Sequence, residues 1–211
     1  MGANTPTGFN CVTYTGNGTT GQTIGGVGFQ PDLVWLKNRG ETNNHFLYDA
    51  VRGARNYLGS NTAVAQATTN QMTAFNPDGF TVDEDGGSAT NDDGDNFVAW
   101  CWNMGGTNVA NTTGSINSTV RANPTYGQSI VSYTGNATSG ATVGHGLSKA
   151  PELVISSRKV PLIEKDIKLN FIGELNKLPL KLQKLIKSSE KKTKTNKKKR
   201  LFFFTSSCKT V

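Results

Sequence analysis

The sequence has few of the residues that build disulfide frameworks, metal centres or membrane spans. Its three cysteines, Cys11, Cys101 and Cys208, stand far apart without CxxC spacing. This pattern indicates neither a disulfide framework nor a zinc motif, and we expect reduced thiols. There is no run of about 18 apolar residues, and the N-terminus lacks the basic flank and apolar core of a signal peptide. We therefore expect a protein that neither spans a membrane nor follows the ordinary secretory route.

Lysine is missing from a long stretch of the chain, since none occurs between Lys37 and Lys149. Residues 1–158 carry seven Lys and Arg against eleven Asp and Glu, whereas residues 159–211 carry fifteen against four. Glycine divides in the opposite way, because only Gly173 of the 24 glycines lies in the basic part. Two compositional regimes are therefore joined, and the overall charge of +7 describes neither of them.

Residues 9–158 consist of short alternating runs separated by Gly, Asn, Thr and Asp, which is typical of antiparallel strands and tight turns. The run FNCVTYT, for example, places Val12 and Tyr14 on one face of a strand. We predict an all-β fold, a β-sandwich or jelly roll closed by pairing early strands with late ones. NFVAWCWN should lie centrally, because an apolar strand at an edge would invite aggregation. The only helix predicted in this part is NTAVAQATTN, which follows Ser60.

Part of the sequence occurs twice. YTGN at residues 14–17 recurs at 133–136, and PDLV at 31–34 recurs as PELV at 151–154. A separation of about 120 residues suits tandem domains rather than a solenoid. We therefore divide the chain into a β-sandwich repeat unit at 9–106, a polar linker at 107–128, the incomplete start of a second unit at 129–158 and a Lys-rich tail at 159–211.

The Lys-rich tail does not continue the second unit, and two interpretations stay open. In the first it is a genuine basic segment, partly helical from Leu162 to Ser189 and then disordered. In the second, the reading frame has slipped in A/T-rich DNA, which yields Lys, Asn, Ile, Leu and Phe when read out of register. KKTKTNKKKR would attract nucleic acid or anionic lipid by charge alone. Because no stacking aromatics are interleaved with it, we predict no specific nucleic-acid partner, and because the chain has no apolar run of spanning length, we predict no membrane partner.

Four motifs occur in this order: GVGFQPDLVWLKNRG, HFLYDAVRGARNYLGSNTAVA, FNPDGFTV and FVAWCWNMGG. Together they resemble a repeat family of marine tailed-bacteriophage virion proteins, labelled as tail-fibre or uncharacterised structural proteins. The resemblance covers residues 9–106 and the restart at 129–158. It implies a noncatalytic structural protein, made in the host cytoplasm and located in the virion. It also implies other virion proteins, a host surface glycan or protein, and further copies in a trimer as partners.

No catalytic residue follows from the resemblance, and the sequence offers little material for catalysis. His45 and His145 are the only histidines and occupy non-equivalent positions in the two units, which disfavours a shared metal site or general base. The alternative function is a virion-associated glycan depolymerase, for which two carboxylates, such as Asp83 and Asp95, would have to flank a cleft.

The segment VDEDGGSATNDDGDN, residues 82–96, is rich in carboxylates, and calcium favours oxygen-rich loops. Its candidate calcium ligands are Asp83, Asp85, Asp92, Asp93 and Asp95. The segment fails the EF-hand spacing, because no Glu closes a twelve-residue loop. A solvated acidic loop without a cofactor is therefore the preferred interpretation.

Three residues are candidates for ligand binding: Trp35, Arg52 and Arg55. Trp35 could stack on a sugar ring, although its alternation with Val and Leu favours a place in the core for most of the tryptophans. Arg52 and Arg55 could bind an acidic glycan. The simpler interpretation is a structural role, in which these arginines form local contacts such as an ion pair with Asp49.

Overall fold

The computed structural model describes residues 8–62, 65–84, 89–158 and 198–204. These residues form fourteen β-strands and no helix, so the prediction of an all-β fold is confirmed. No helix in the described ranges could therefore cross a membrane. The strands are β1 Phe9–Thr15, β2 Gln22–Ile24, β3 Leu33–Asn38, β4 Phe46–Asp49, β5 Asn56–Gly59, β6 Ala67–Thr68, β7 Met72–Asn76, β8 Gly79–Val82, β9 Asn96–Trp102, β10 Val109–Asn111, β11 Ser118–Asn123, β12 Gln128–Thr134, β13 Leu153–Arg158 and β14 Lys198–Phe204.

The strands form three antiparallel sheets. The first sheet has the order β1-β9-β3-β4-β5-β6, the second β2-β8-β7 and the third β10-β11-β12-β14-β13. β9 pairs with β1 along one edge and with β3 along the other. The apolar strand NFVAWCW therefore lies inside the sheet, as predicted, and its backbone groups are paired on both sides.

The first core lies between the first and second sheets. Phe97, Ala99 and Cys101 of β9 alternate into it and are fully buried, as the two-residue period of a strand requires. Tyr14 of β1 packs on the same side, with its ring stacked on Phe97 at a centroid distance of 5.0 Å. Phe80 contributes from β8, opposite the first sheet. This core accounts for the apolar residues on one face of β1, β3 and β9.

The second core lies on the opposite face of the first sheet. Its buried members are Leu33, Leu47, Leu58, Met104 and Ile130. Ile130 belongs to β12 in the third sheet, whereas the other four belong to the predicted first unit. The two predicted units therefore share a hydrophobic core, and the first sheet has apolar contacts on both faces.

Residues 107–128, predicted as a polar linker, contain β10 and β11. β11 pairs along its whole length with β12. Its polar side chains bind the first unit, since Asn123 Nδ2 donates to Asn103 Oδ1 at 3.2 Å. The turn after β11 packs there too: a Cβ on Gly8 would lie 2.3 Å from the Tyr126 ring, and the φ of Gly8 is +71°, a conformation that favours glycine. The segment is polar because it forms an interface.

The third sheet repeats the strand register of the first. β12, β14 and β13 pair with each other as β1, β9 and β3 do, and corresponding positions align throughout. At one end, the aligned trios are Phe9, Trp102 and Leu33 in the first sheet and Gln128, Phe204 and Leu153 in the third. β14 therefore occupies in the third sheet the position that β9 occupies in the first.

β14 comes from the Lys-rich tail, in a segment for which the sequence predicts disorder. The strand pairs with β12 and β13 at the same time. The helix predicted from Leu162 to Ser189 lies outside the described residues. The division into repeat units and the slipped reading frame stay predictions, the latter being a statement about the DNA.

The helix predicted after Ser60 is also wrong for the residues that the structure describes there. Ala67 and Thr68 form β6, which pairs with β5. Thr68 Oγ1 donates to Asn56 Oδ1 at 2.7 Å across this pair. A β-branched residue suits such an edge strand better than a helix, and the pairing partner decides the outcome.

Asp32 and Arg121 join the first sheet to the third. Asp32, just before β3, is 4% exposed, and its Oδ1 forms an ion pair with the guanidinium of Arg121 in β11. Its Oδ2 accepts a hydrogen bond from the Gly105 amide at 2.9 Å. Burial raises the pKa of the Asp32 carboxyl, while Arg121 and these hydrogen bonds oppose that rise. Arg121 is therefore the charge that makes a buried carboxylate tolerable at this joint.

Replacing Arg121 with Met should lower the free energy of unfolding by about 3–5 kcal/mol near pH 7, because Asp32 would remain buried without a counter-charge. The loss should shrink on acidification. The folded state then holds Asp32 at a pKa above its unfolded value, so the lost stability returns as the pH falls below the folded pKa. Urea denaturation near pH 7 and about pH 4 measures both effects.

Arg121→Lys is the matched control, because it keeps the charge and should lose less stability than Arg121→Met. An equal loss for Met and Lys, or a loss for Met that does not change with pH, would contradict the assigned role of the ion pair.

Candidate ligand-binding face

The face of the first sheet opposite the first core carries aromatic side chains near β1. Cross-strand pairing aligns Cys11, Trp100 and Trp35 in one row. Phe9 and Trp102 form the next row. We define the outer aromatic face as Phe9, Trp35, His45, Trp100 and Trp102. It arises because β9 alternates, so the same strand that fills the first core also presents its tryptophans on the other side.

The outer aromatic face is partly covered. Trp35 and Trp102 pack against the second core, and all three tryptophans are half-buried. Phe9 is 40% exposed, and Cys11 beside it is exposed. The tryptophans are therefore neither fully buried core residues nor free surface residues. The face is most open at its β1 end, away from the buried part of the second core.

Ring contacts hold the outer aromatic face in place. Trp35 meets Trp100 edge to face, with centroids 5.7 Å apart and planes inclined by 62°. Phe9 and Trp102 have centroids 5.1 Å apart. Such pairs contribute about 0.5–1.5 kcal/mol each beyond their area burial. The rings are consequently arranged before any ligand arrives, which lowers the entropic cost of binding.

His45 sets the orientation of Trp35. Trp35 Nε1 donates a hydrogen bond to His45 Nδ1 at 3.0 Å, so Nδ1 is unprotonated and the proton of the neutral ring is on Nε2. Burial, followed by the positive charge of Lys37, lowers the pKa of His45, which favours this neutral form. Nε2 is then a hydrogen-bond donor on a ring that packs against Trp35. The sequence offers no signal for this pair, because only the β3–β4 hairpin brings the two rings together.

The two arginine candidates lie in different environments, one buried and one exposed. Arg52 forms an ion pair with Asp49, and the two side chains are 1% and 0% exposed. Arg52 Nη2 also donates to the Leu47 carbonyl at 2.7 Å. Arg52 is therefore part of the buried structure, in agreement with the simpler interpretation of the sequence. Arg55 is exposed immediately before β5 and is not part of the outer aromatic face.

Two of the candidate calcium ligands accept hydrogen bonds from different parts of the chain. Asp83 Oδ1 accepts from the Gly21 amide at 2.7 Å, and Asp95 Oδ2 accepts from Asn38 Nδ2 at 2.6 Å. Asp93 is exposed. Asp83 and Asp92 line one small cleft together with Glu84, Thr90 and Asn91. Asp85 lies outside the described residues. Within the described part of the chain, no three His, Cys, Asp or Glu residues come close enough to hold a metal ion.

Replacing Asp95 with Ala should lower the free energy of unfolding by about 1–3 kcal/mol, because the buried Asn38 amide loses its hydrogen bond to the Asp95 carboxylate. Asn38 is 0% exposed, and its Oδ1 organises the following turn by accepting from the Gly40 amide at 2.8 Å. Thermal or urea denaturation measures the loss. Asp93→Ala is the matched control and should change the stability by less than about 0.5 kcal/mol.

A calcium-dependent rise in the melting temperature of the unaltered protein, absent from both Asp variants, would contradict this structural assignment. It would show that the acidic segment binds a cation.

Comparison with known proteins finds one family. Its model, described as "Domain of unknown function (DUF7483)", matches residues 5–210, a range that includes the first unit, the β10–β13 region and most of the Lys-rich tail. No curated protein and no solved structure matches the chain.

Proposed function

The chain belongs to the DUF7483 family, and from this premise we propose that it is a noncatalytic structural component of a phage virion, in a tail fibre or appendage that contacts the host surface. The family description names no function, so the virion setting draws on the resemblance of the four motifs in residues 9–106. The contact with a host surface draws on the outer aromatic face.

The outer aromatic face is the observation that supports a binding role. Binding sites for small ligands combine apolar and aromatic side chains with a few placed polar groups, and here ordered indole rings stand beside the Nε2 donor of His45. The flat faces of such rings suit the C–H faces of sugars, and the donor suits a hydroxyl. A host surface polysaccharide is therefore the ligand that this chemistry fits.

A shallow, partly covered face gives weak binding at a single site. Copies repeated along a virion appendage would convert weak contacts into strong attachment, because each bound copy raises the effective concentration of the next one. The proposed partners are accordingly a host surface glycan or protein, other virion proteins and further copies of the chain in a trimer. The proposed location is the virion, after synthesis in the host cytoplasm.

Replacing Trp100 with Ala should weaken binding to host cells or to their purified surface polysaccharide by about tenfold or more, because Trp35 loses its edge-to-face partner and the face loses apolar area. Phe9→Ala should weaken binding with less effect on folding, since Phe9 is 40% exposed. Binding is measured by pull-down with host cells and by calorimetry with the polysaccharide.

Phe29→Ala is the matched control. Phe29 is also a half-buried aromatic residue, but it packs against the first core, so its loss should affect stability and spare binding. Binding should also weaken as the pH falls through the lowered pKa of His45, because protonated Nδ1 no longer accepts from Trp35. Unchanged binding in the folded Trp100 and Phe9 variants would refute the role of the outer aromatic face.

The alternative function, a glycan depolymerase, has one observation in its favour. Asp83, Glu84 and Asp92 line the same small cleft, and glycoside hydrolysis uses a pair of carboxylates. Incubation with host polysaccharide would release reducing ends if the cleft is catalytic. Loss of that release in Asp83→Asn, with retention in Asp93→Asn, would favour the depolymerase over the noncatalytic component.

A further inference from the structure

Beyond the tryptophans, the same side of the first sheet carries a pair of cations. Trp35 lies on this side of β3, and the alternation of a strand places Lys37 and Arg39 on the same side. The pairing with β9 continues as far as Arg39, whose amide donates to the Asn96 carbonyl at 2.7 Å. We define the basic end as the rows of residues that cross-strand pairing aligns with these cations: Thr13, Val98 and Lys37, followed by Thr15, Asn96 and Arg39.

The basic end is accessible to solvent. Its residues are exposed, except for Val98 and Lys37, which are half-buried. Leu33, at the other end of β3, is the residue of that strand that is buried in the second core together with Ile130 of the third sheet. The contact with the third sheet and the basic end therefore lie at opposite ends of β3.

Neither cation of the basic end forms an ion pair within the described part of the chain. The ion pairs found there are those of Arg52 and Arg121. The Lys37 ammonium instead donates to the backbone carbonyls of Asn38 and Glu41. These neutral acceptors hold the side chain in place and leave its charge uncompensated, so the basic end favours an anion.

His45 connects the basic end to the tryptophans. Leu36 pairs with Phe46, so the next residues, Lys37 and His45, are neighbours across the β3–β4 hairpin. The same histidine accepts the hydrogen bond of Trp35. Positions two apart on a strand are separated by about 7 Å, a distance that neighbouring sugars of one chain can bridge. The aromatic rings and the cations are thus parts of one continuous surface.

We propose that the outer aromatic face and its basic end together bind an acidic polysaccharide, with one sugar ring on the tryptophans and the carboxylate of the next sugar at Lys37 and Arg39. The inference rests on the proposed function, because it names the class of glycan for the same face. Charge complementarity selects this occupant, since a neutral glycan would leave both cations without a partner. The cations stand at one end of the aromatic rows only, which suits a polymer with alternating charged and neutral residues better than nucleic acid, with a phosphate at every residue.

Calorimetry of the full chain with uronate polymers tests the proposal. The probes are hyaluronate and alginate, and each is compared with the same polymer after chemical reduction of its carboxyl groups. We expect the chain to bind the uronate forms about tenfold or more tightly than the reduced forms, because only the uronates provide a counter-charge. This preference should shrink as the salt concentration rises, because the cations are solvent-accessible.

Charge-removing variants locate the preference. Lys37→Gln and Arg39→Gln should each weaken binding to the uronate polymers by about twofold to fivefold, as exposed charge pairs do, and leave binding to the reduced polymers unchanged. Lys37→Arg should keep the preference, because it keeps the charge. Arg55→Gln is the matched control: Arg55 is an exposed arginine outside this surface, and its loss should leave both affinities as they are.

Phe9→Ala and Trp100→Ala separate this inference from the proposed function. Both should weaken binding to uronate and reduced polymers alike, because they remove apolar area rather than charge. Equal affinity of the unaltered chain for the two forms, or uronate binding that is insensitive to both Gln changes, would overturn the acidic class and leave the face as a glycan site. Single-stranded DNA bound as tightly as the uronates would also overturn it, as would absence of binding to all of these polymers. The proposed function is tested separately by the pull-down with host cells.

Discussion

The insertion of β9 between β1 and β3 is the constraint on which the rest of the structure depends. Its register sends Phe97, Ala99 and Cys101 into the first core and leaves Trp100 and Trp102 on the opposite face. A shift of one residue would exchange the two faces of the strand. The burial of the first core and the existence of the outer aromatic face are therefore two results of one pairing.

The same pairing occurs again with a different strand. β14 shares with β9 its position between two earlier strands, although KKRLFFF and NFVAWCW have little in common. Backbone hydrogen bonds supply the pairing, and side chains need only suit the faces on which they fall. The third sheet also packs against the first. Ile130 enters the second core, and Arg121 compensates the charge of Asp32. The two sheets differ at the outer edge: β4 pairs with β3 in the first sheet, whereas among the described strands β13 pairs with β14 alone.

Several features were predictable because they follow from local periodicity. The strand FNCVTYT and the central place of NFVAWCW both rest on alternation. The failures were contacts between distant segments. The strands of residues 107–128 read as a polar linker, because their polar residues bind another part of the chain. The contact between Trp35 and His45 was invisible for the same reason, whereas Asp49 and Arg52, three residues apart, could be weighed as a local pair.

The sequence by itself determined the class of the fold, the faces of the strongest strands, the internal repeat and the change in composition near residue 159. Alternation and turn residues act over a few positions, so they can be read without knowing what packs against them. The tertiary structure alone decided which strands are neighbours, which tryptophans stay half-exposed and which carboxylates are used in hydrogen bonds. These features depend on contacts between residues that are far apart in the chain. Such a contact contributes to stability only when the fold has brought both partners together.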